Sequence, residues 1–300
     1  MDIDKEKISA PAKGGQASGP ASGGENISLW NKEAYFQLIE DCQEHGGEEA
    51  KFLTVKIAEA IKKYNTAGVL DVGCGEGAVI NDLSRETSGQ VKYYGVDVAE
   101  VGVERAKKRG VANAEFKVYD GKTIPFSAET FDLSFSTFVF EHLTDPEKVF
   151  LEMSRVTKKG GYVSIACPNY GSPFFRSPCN KENKILLLLA RLAQSLVPKV
   201  FFKDSFHWQK VNPIVLPENE HIMDYDTTVE PNLLFFKKHI EAAGVFKIVE
   251  ANSFWDKFVY SGNSKLKKAF FSLVSFLNKH NFPFVKYYGP FFFIILQKKV

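Results

Sequence analysis

The residues best placed to do chemistry lie in one short stretch, Val69-Leu-Asp-Val-Gly-Cys-Gly-Glu-Gly77, where Gly73, Gly75 and Gly77 close a β-branched run and precede a helical pattern. Glycine at such a bend permits positive φ and lets the backbone come close to a ligand. The spacing is G-x-G-x-G, tighter than the dinucleotide G-x-G-x-x-G. Asp71, just before the bend, suits a cationic amino group or water better than a pyrophosphate, which wants the helix N-terminus clear of negative charge. Asp97 ends the next strand pattern, and a carboxylate there can accept from both hydroxyls of a ribose. Asp120, in Tyr119-Asp120-Gly121, can accept from an adenine amino group or serve as a plain turn aspartate. Glu141 and His142 follow a fourth strand pattern. Imidazole titrates near neutrality, so His142 could take a proton from an acceptor hydroxyl, or the pair could simply position its loop.

The elements that must hold these residues alternate. Helical spacing from Glu48 to Tyr64 precedes the strand 67–73, and a helix starts near Gly77. Lys92 to Asp97 is a strand and Val101 to Arg109 a helix; Ala114 to Val118 and Phe131 to Ser136 are strands; Pro146 to Thr157 is a helix with proline in its first turn. Gly161 to Ala166 is the fifth strand. Strands alternating with helices imply a parallel sheet covered on both faces, with ligands at the carboxyl ends of its strands. After Pro168 the rhythm breaks. Residues 169–230 read as an insertion, 231–243 as a helix, 246–251 and 291–297 as closing strands, and 254–289 as a second excursion with a helix at Lys265 to Lys279. Residues 1–26, rich in Gly, Ala, Ser and Pro, read as a disordered arm ahead of a core at 27–168.

Taken in order, V-L-D-V-G-C-G-E-G, G-V-D-V, F-D-L-S-F-S-T-F-V-F-E-H-L-T-D-P and R-V-T-K-K-G-G-Y-V-S-I-A-C-P-N resemble the successive motifs of class I S-adenosylmethionine-dependent methyltransferases, most closely the type 11 subgroup. The resemblance spans about residues 50–170. It implies a Rossmann-like three-layer α/β/α sandwich with a seven-stranded, mostly parallel sheet whose last strand is antiparallel. It also implies S-adenosylmethionine as cofactor, with Asp71, Gly73 and Gly75 at the methionine moiety, Gly77 among the cofactor-binding residues, Asp97 at the ribose and Val98 against the adenine. Asp120 and Gly121 would meet the adenine edge, and Phe138 would lie beside the cofactor. Some quinone-precursor relatives carry E-x-x-E-H and a divalent cation; here Phe138 stands at the first acidic position, so no metal is expected.

Bulk properties narrow the alternatives. A net charge of +2 gives no electrostatic case for nucleic-acid binding. Cys42, Cys74, Cys167 and Cys179 are scattered without C-x-x-C, which reads as reduced thiols in a cytoplasmic protein rather than a zinc site. The favoured expectation is methyl transfer to O or N of a small-molecule or lipid- or sugar-linked acceptor. A non-catalytic cofactor-binding scaffold is the alternative, and a nicotinamide oxidoreductase a more distant one. His207-Trp208 and Glu220-His221, with Asp224 and Asp226, lie in the first insertion and could reach over the acceptor pocket. The apolar stripes at 185–196 and 266–277 either cover the sheet, each other or a dimer partner, or face lipid at the membrane periphery.

Overall fold

The computed structural model describes residues 30–33, 35–36, 48–87, 91–196, 208–214, 216, 224–254, 265–280 and 282–300. The proposed arm at 1–26, His207 and His221 lie outside them. Helix α1 (Glu48–Tyr64) leads into β1 (Gly68–Val72), α2 (Ala78–Glu86), β2 (Lys92–Asp97), α3 (Glu100–Lys108), β3 (Ala114–Val118) and β4 (Phe131–Thr137). A single 3-10 turn, Phe140–His142, precedes α4 (Pro146–Val156) and β5 (Thr157–Pro168). The insertion carries α5 (Lys184–Leu196) and a small ribbon, β6 (Gln209–Lys210) with β7 (Val229–Glu230). The chain closes with α6 (Leu233–Ala243), β8 (Phe246–Phe254), α7 (Lys265–Lys279), α8 (Pro283–Lys286) and β9 (Phe291–Lys298).

Seven strands form one sheet in the order β3-β2-β1-β4-β5-β9-β8. The pairs β1 with β2, β1 with β4, β2 with β3 and β4 with β5 are parallel, while β9 runs antiparallel to both β5 and β8. The chain reverses direction across the sheet on either side of β1, so the ends of β1, β2 and β4 face one crevice. The near-continuous apolar run of β9 is explained by burial on both faces. Phe292, Ile294 and Leu296 enter one core cluster, and Phe293 and Ile295 another, with the period of two that a pleated strand imposes. β5 is longer than its sequence suggests, beginning at Thr157 rather than Gly161. Lys-Lys-Gly-Gly reads as a turn, yet Gly160 takes φ 75° within the strand, near a register shift between Phe131 and Leu133 of the partner.

Candidate active site

The bend after β1 is built around backbone amides. Gly73 and Cys74 N–H donate to the carbonyl of Val96 (2.8 and 3.1 Å), which stitches the bend to β2. Gly73 sits at φ 83°, and a Cβ there would lie 2.3 Å from Val139 Cγ2, so glycine is required on two counts. Asp97 accepts from Gly75 N–H through Oδ2 (2.7 Å) and from Ala99 N–H through Oδ1 (2.8 Å). Burial raises its pKa, against the pull of these donors. Beneath the bend, Glu76 is buried and paired with Arg105 of α3 (3.0 Å) and with Arg109 just past its end (2.6 Å), which clamps the loop to that helix.

Asp71 is buried, and its Oδ1 has no hydrogen-bond donor among the described residues. Burial, reinforced by the neighbouring charge of Asp97, pushes its carboxyl well above the usual range. Such an oxygen lacks a donor, and an ammonium group supplies one. Across Asp97, a Cβ on Gly121 would stand 3.1 Å from Val98 Cγ1, so the Asp120-Gly121 turn packs beside Val98. Asp120 itself is exposed on the rim, its Oδ1 accepting from Lys122 and Thr123 N–H (2.8 and 2.7 Å); these bonds hold its pKa low. Together, an orphaned buried carboxylate oxygen, a second carboxylate with lone pairs to spare and a bend that turns through three glycines at positive φ fit an amino acid joined to a nucleoside.

The second half of the crevice begins where β4 ends. Phe138 takes φ 55° and donates its N–H to Ala166 (2.8 Å); its ring lies edge-on to Phe291 at 5.7 Å. Much of Phe138 therefore packs towards the α1 side of the sheet, with Leu53 and Ala60, and Val139 is the residue pressed on the glycine bend. The 3-10 turn then presents Glu141 and His142. Glu141 is buried, its Oε2 has no donor among the described residues, and burial pushes its carboxyl up to about 8. His142 Nδ1 stands 3.3 Å from Asp226 Oδ1, and Nε2 stands 3.8 Å from Glu141 Oε1. Burial alone would depress its pKa, but Asp226, Glu141 and Asp224 carry it upward. One ligand atom each from Glu141, His142 and Asp224 lies within 4.8 Å of the others.

Residues 30–33 and 35–36 reach both halves of the crevice, a role that the sequence did not suggest beyond a cluster of aromatic residues after a polar stretch. Trp30 Nε1 donates to Asp226 Oδ2 (2.7 Å), and its ring meets that of His142 edge-on at 5.9 Å. Asn31 Oδ1 accepts from Val101 N–H at the start of α3 (2.9 Å), and Glu33 pairs with Arg105. Phe36 is buried against the donor bend, 3.6 Å from where a Gly75 Cβ would be, and fills the place of a Gly102 side chain. Tyr35 is half-buried, and desolvation of its hydroxyl, with the charges of Asp226, Asp97, Glu141 and Asp224, raises its pKa. Trp208, expected over the acceptor pocket, instead packs in the core against Phe140 (5.9 Å) and Phe236 (5.7 Å), because its large ring gains more from burial there. Asp226 does reach the site; Thr228, on the same return of the chain, donates its N–H to the carbonyl of Glu141 (2.9 Å).

Comparison with known proteins agrees with this architecture. Residues 70–165 match the family model described as a methyltransferase domain. A sterol 4-C-methyltransferase of Caenorhabditis elegans is 30% identical over 119 residues, covering 38% of this chain and 35% of that protein. An aklanonic acid methyltransferase of a Streptomyces strain is 30% identical over 111 residues, covering 36% and 50%. The match thus spans half or less of these relatives' length. Among solved structures, an S-adenosylmethionine-dependent methyltransferase from Thermotoga maritima superposes with a TM-score of 0.50 at 16% identity, covering 91% of this chain and 99% of that one. The Haloferax volcanii complex of the Trm112 activator with a methyltransferase gives 0.52 at 15% identity, covering 93% and 98%. These likenesses establish the fold.

Proposed function

We propose that the chain, whose residues 70–165 match a methyltransferase-domain model, transfers the methyl group of S-adenosylmethionine to an oxygen or nitrogen of a small-molecule acceptor, free or linked to a lipid or sugar. The observation that carries this is the meeting of Asp71 and Asp97 at a bend where only glycine fits. Asp71 takes the donor's ammonium, Asp97 its ribose hydroxyls, Val98 and the Asp120-Gly121 turn the adenine, and the Gly73–Gly77 bend brings backbone close to the chain between. The sulfonium supplies an already activated methyl, so the protein's main task is alignment.

On the acceptor side, His142 removes the proton released as the new bond forms, with Asp226 Oδ1 3.3 Å from one nitrogen and Glu141 Oε1 3.8 Å from the other. A second reading rests on the spacing of Glu141, His142 and Asp224: a divalent cation held there would orient an acceptor oxygen. Inhibition by EDTA, reversed by added Mg²⁺ or Mn²⁺, would select it. The test of the donor site is calorimetry with S-adenosylhomocysteine. Asp97→Ala should weaken binding by more than about tenfold, the loss expected when a charged hydrogen-bond acceptor is removed, and an unchanged affinity would withdraw the assignment of Asp97.

A further inference from the structure

The acceptor side of the crevice gathers more acid than one imidazole can balance. Glu141, Asp224 and Asp226 meet at His142, whose Nδ1 stands 3.3 Å from Asp226 Oδ1 and Nε2 3.8 Å from Glu141 Oε1. One ligand atom each from Glu141, His142 and Asp224 lies within 4.8 Å of the others. Glu141 is 1% exposed and Asp226 4%, yet Glu141 Oε2 and Asp226 Oδ1 accept no hydrogen bond among the described residues. Among those residues the charged groups acting on Asp224 are His142 and Asp226, and those acting on Glu141 are His142, Asp224 and Asp226; none is a lysine or arginine. The backbone that carries the acids is held by other contacts. Thr228 donates its N–H to the carbonyl of Glu141 (2.9 Å), Ile214 its N–H to that of Tyr225 (2.7 Å), and Thr227 its hydroxyl to that of Asp224 (2.7 Å). The acids are thus fixed in place while these side-chain oxygens stay open.

An open oxygen in a buried place calls for a donor, and clustered carboxylates call for positive charge. A protonated amine brings both, with its N–H groups and its charge on one compact nitrogen. Aromatic rings border the cluster, as suits an organic cation. Trp30 lies edge-on to His142 at 5.9 Å, and the hydroxyl of Tyr170, whose ring stacks on Phe175 at 5.3 Å, acts on Asp224. His142 and Asp224 are only partly buried, so the cluster is reached from the surface at those two residues. The same acids would repel a phenolate or carboxylate acceptor, and they offset the repulsion between an ammonium and the positively charged sulfonium donor.

We propose that Glu141, Asp224 and Asp226 receive the acceptor as an ammonium ion, which makes the substrate a protonated amine and the methylated atom its nitrogen. This rests on the methyltransferase reading and narrows it. An ammonium has no lone pair, so it first passes one proton to neutral His142. The freed pair then forms the N–C bond to the methyl as the C–S bond breaks, with that bond's electrons kept by sulfur. The products are a methylammonium and S-adenosylhomocysteine, and His142 returns its proton to solvent. Calorimetry on the EDTA-treated full chain, with S-adenosylhomocysteine present, tests the pocket with two matched sets: benzylamine, benzyl alcohol and benzoate, and hexylamine, hexanol and hexanoate. Each amine should bind about tenfold or more tightly than its alcohol or carboxylate, the difference expected of charge-assisted hydrogen bonds. Glu141→Gln, which keeps the side chain's size, should erase that preference while holding S-adenosylhomocysteine affinity within about twofold; Asp224→Asn repeats the test if the first variant does not fold. Amines that bind no better than their matched compounds, or a preference untouched by both substitutions, overturn the proposal. So does Mg²⁺ that binds and excludes the amines, which gives the cluster to a metal. Turnover with S-adenosylmethionine that puts the methyl on the alcohol oxygens rather than the amine nitrogens, read by mass spectrometry, overturns it as well. Loss of the amine preference with S-adenosylhomocysteine affinity intact sinks this narrowing alone; absence of that affinity in the wild-type chain removes the donor reading and this proposal with it.

Discussion

The two halves of the crevice treat buried carboxylates in opposite ways. On the donor side, Asp97 is met by two backbone N–H groups and the bend is stitched to β2 by two more. On the acceptor side, Glu141 Oε2 and Asp226 Oδ1 are buried without a hydrogen-bond donor among the described residues. A buried polar group without a partner costs free energy, and that cost is tolerated where an incoming molecule brings the partner. The contrast assigns rigidity to one half and receptivity to the other, with Asp71 Oδ1 as the donor side's own open position.

The sharpest way to break the comparison is His142→Ala. It should lower methyl transfer by about 10²–10⁴-fold, the usual contribution of a general base, while leaving the affinity for S-adenosylhomocysteine within about twofold. Formation of S-adenosylhomocysteine with a panel of phenols and amines reads the first quantity and calorimetry the second. Equal losses in both would show that the halves are not separable.

A pH profile sharpens it further. With Glu141 held up to about 8 and His142 also raised, the pair retains a proton at neutrality, so transfer should climb as pH rises towards about 8 and then level. Asp226→Asn removes the foremost charge that raises the His142 pKa and should move this limb to lower pH. Carbon-13 NMR of labelled histidine would follow the imidazole directly, and a limb that stays in place argues against Asp226 as its partner. The smallest expected effect belongs to Trp30→Phe, which deletes the bond to Asp226 while keeping an aromatic ring. Donor affinity should fall about fivefold, equivalent to roughly 1 kcal/mol for one hydrogen bond, as calorimetry would show.

The same contrast explains what the sequence could disclose. The donor bend is local: strand, glycines, buried acid and helix start all fall between Val69 and Ala78, and Asp97 follows after one crossover, so residue type and spacing suffice. The strands were legible for the same reason, although the Gly160 bulge hid the start of β5; the antiparallel direction of β9 was implied only by the family resemblance. His142 is different. Its neighbour Asp226 arrives from the far end of an insertion, and Trp30 from the opposite end of the chain. No periodicity joins positions so far apart; only the folded sheet does. Trp208 carried the same difficulty in reverse, since an aromatic residue beside a histidine looks like a pocket wall until its burial against Phe236 is seen.

Trp30 holds Asp226 at one end of this segment and Phe36 lies against the glycine bend at the other, with Arg105 shared between Glu33 and Glu76. A strap fastened at both ends cannot slacken at one without altering its hold on the other. Were a ligand in one half to shift this strap, the other half would feel it, and the energy of that coupling would be the same whichever ligand arrived first.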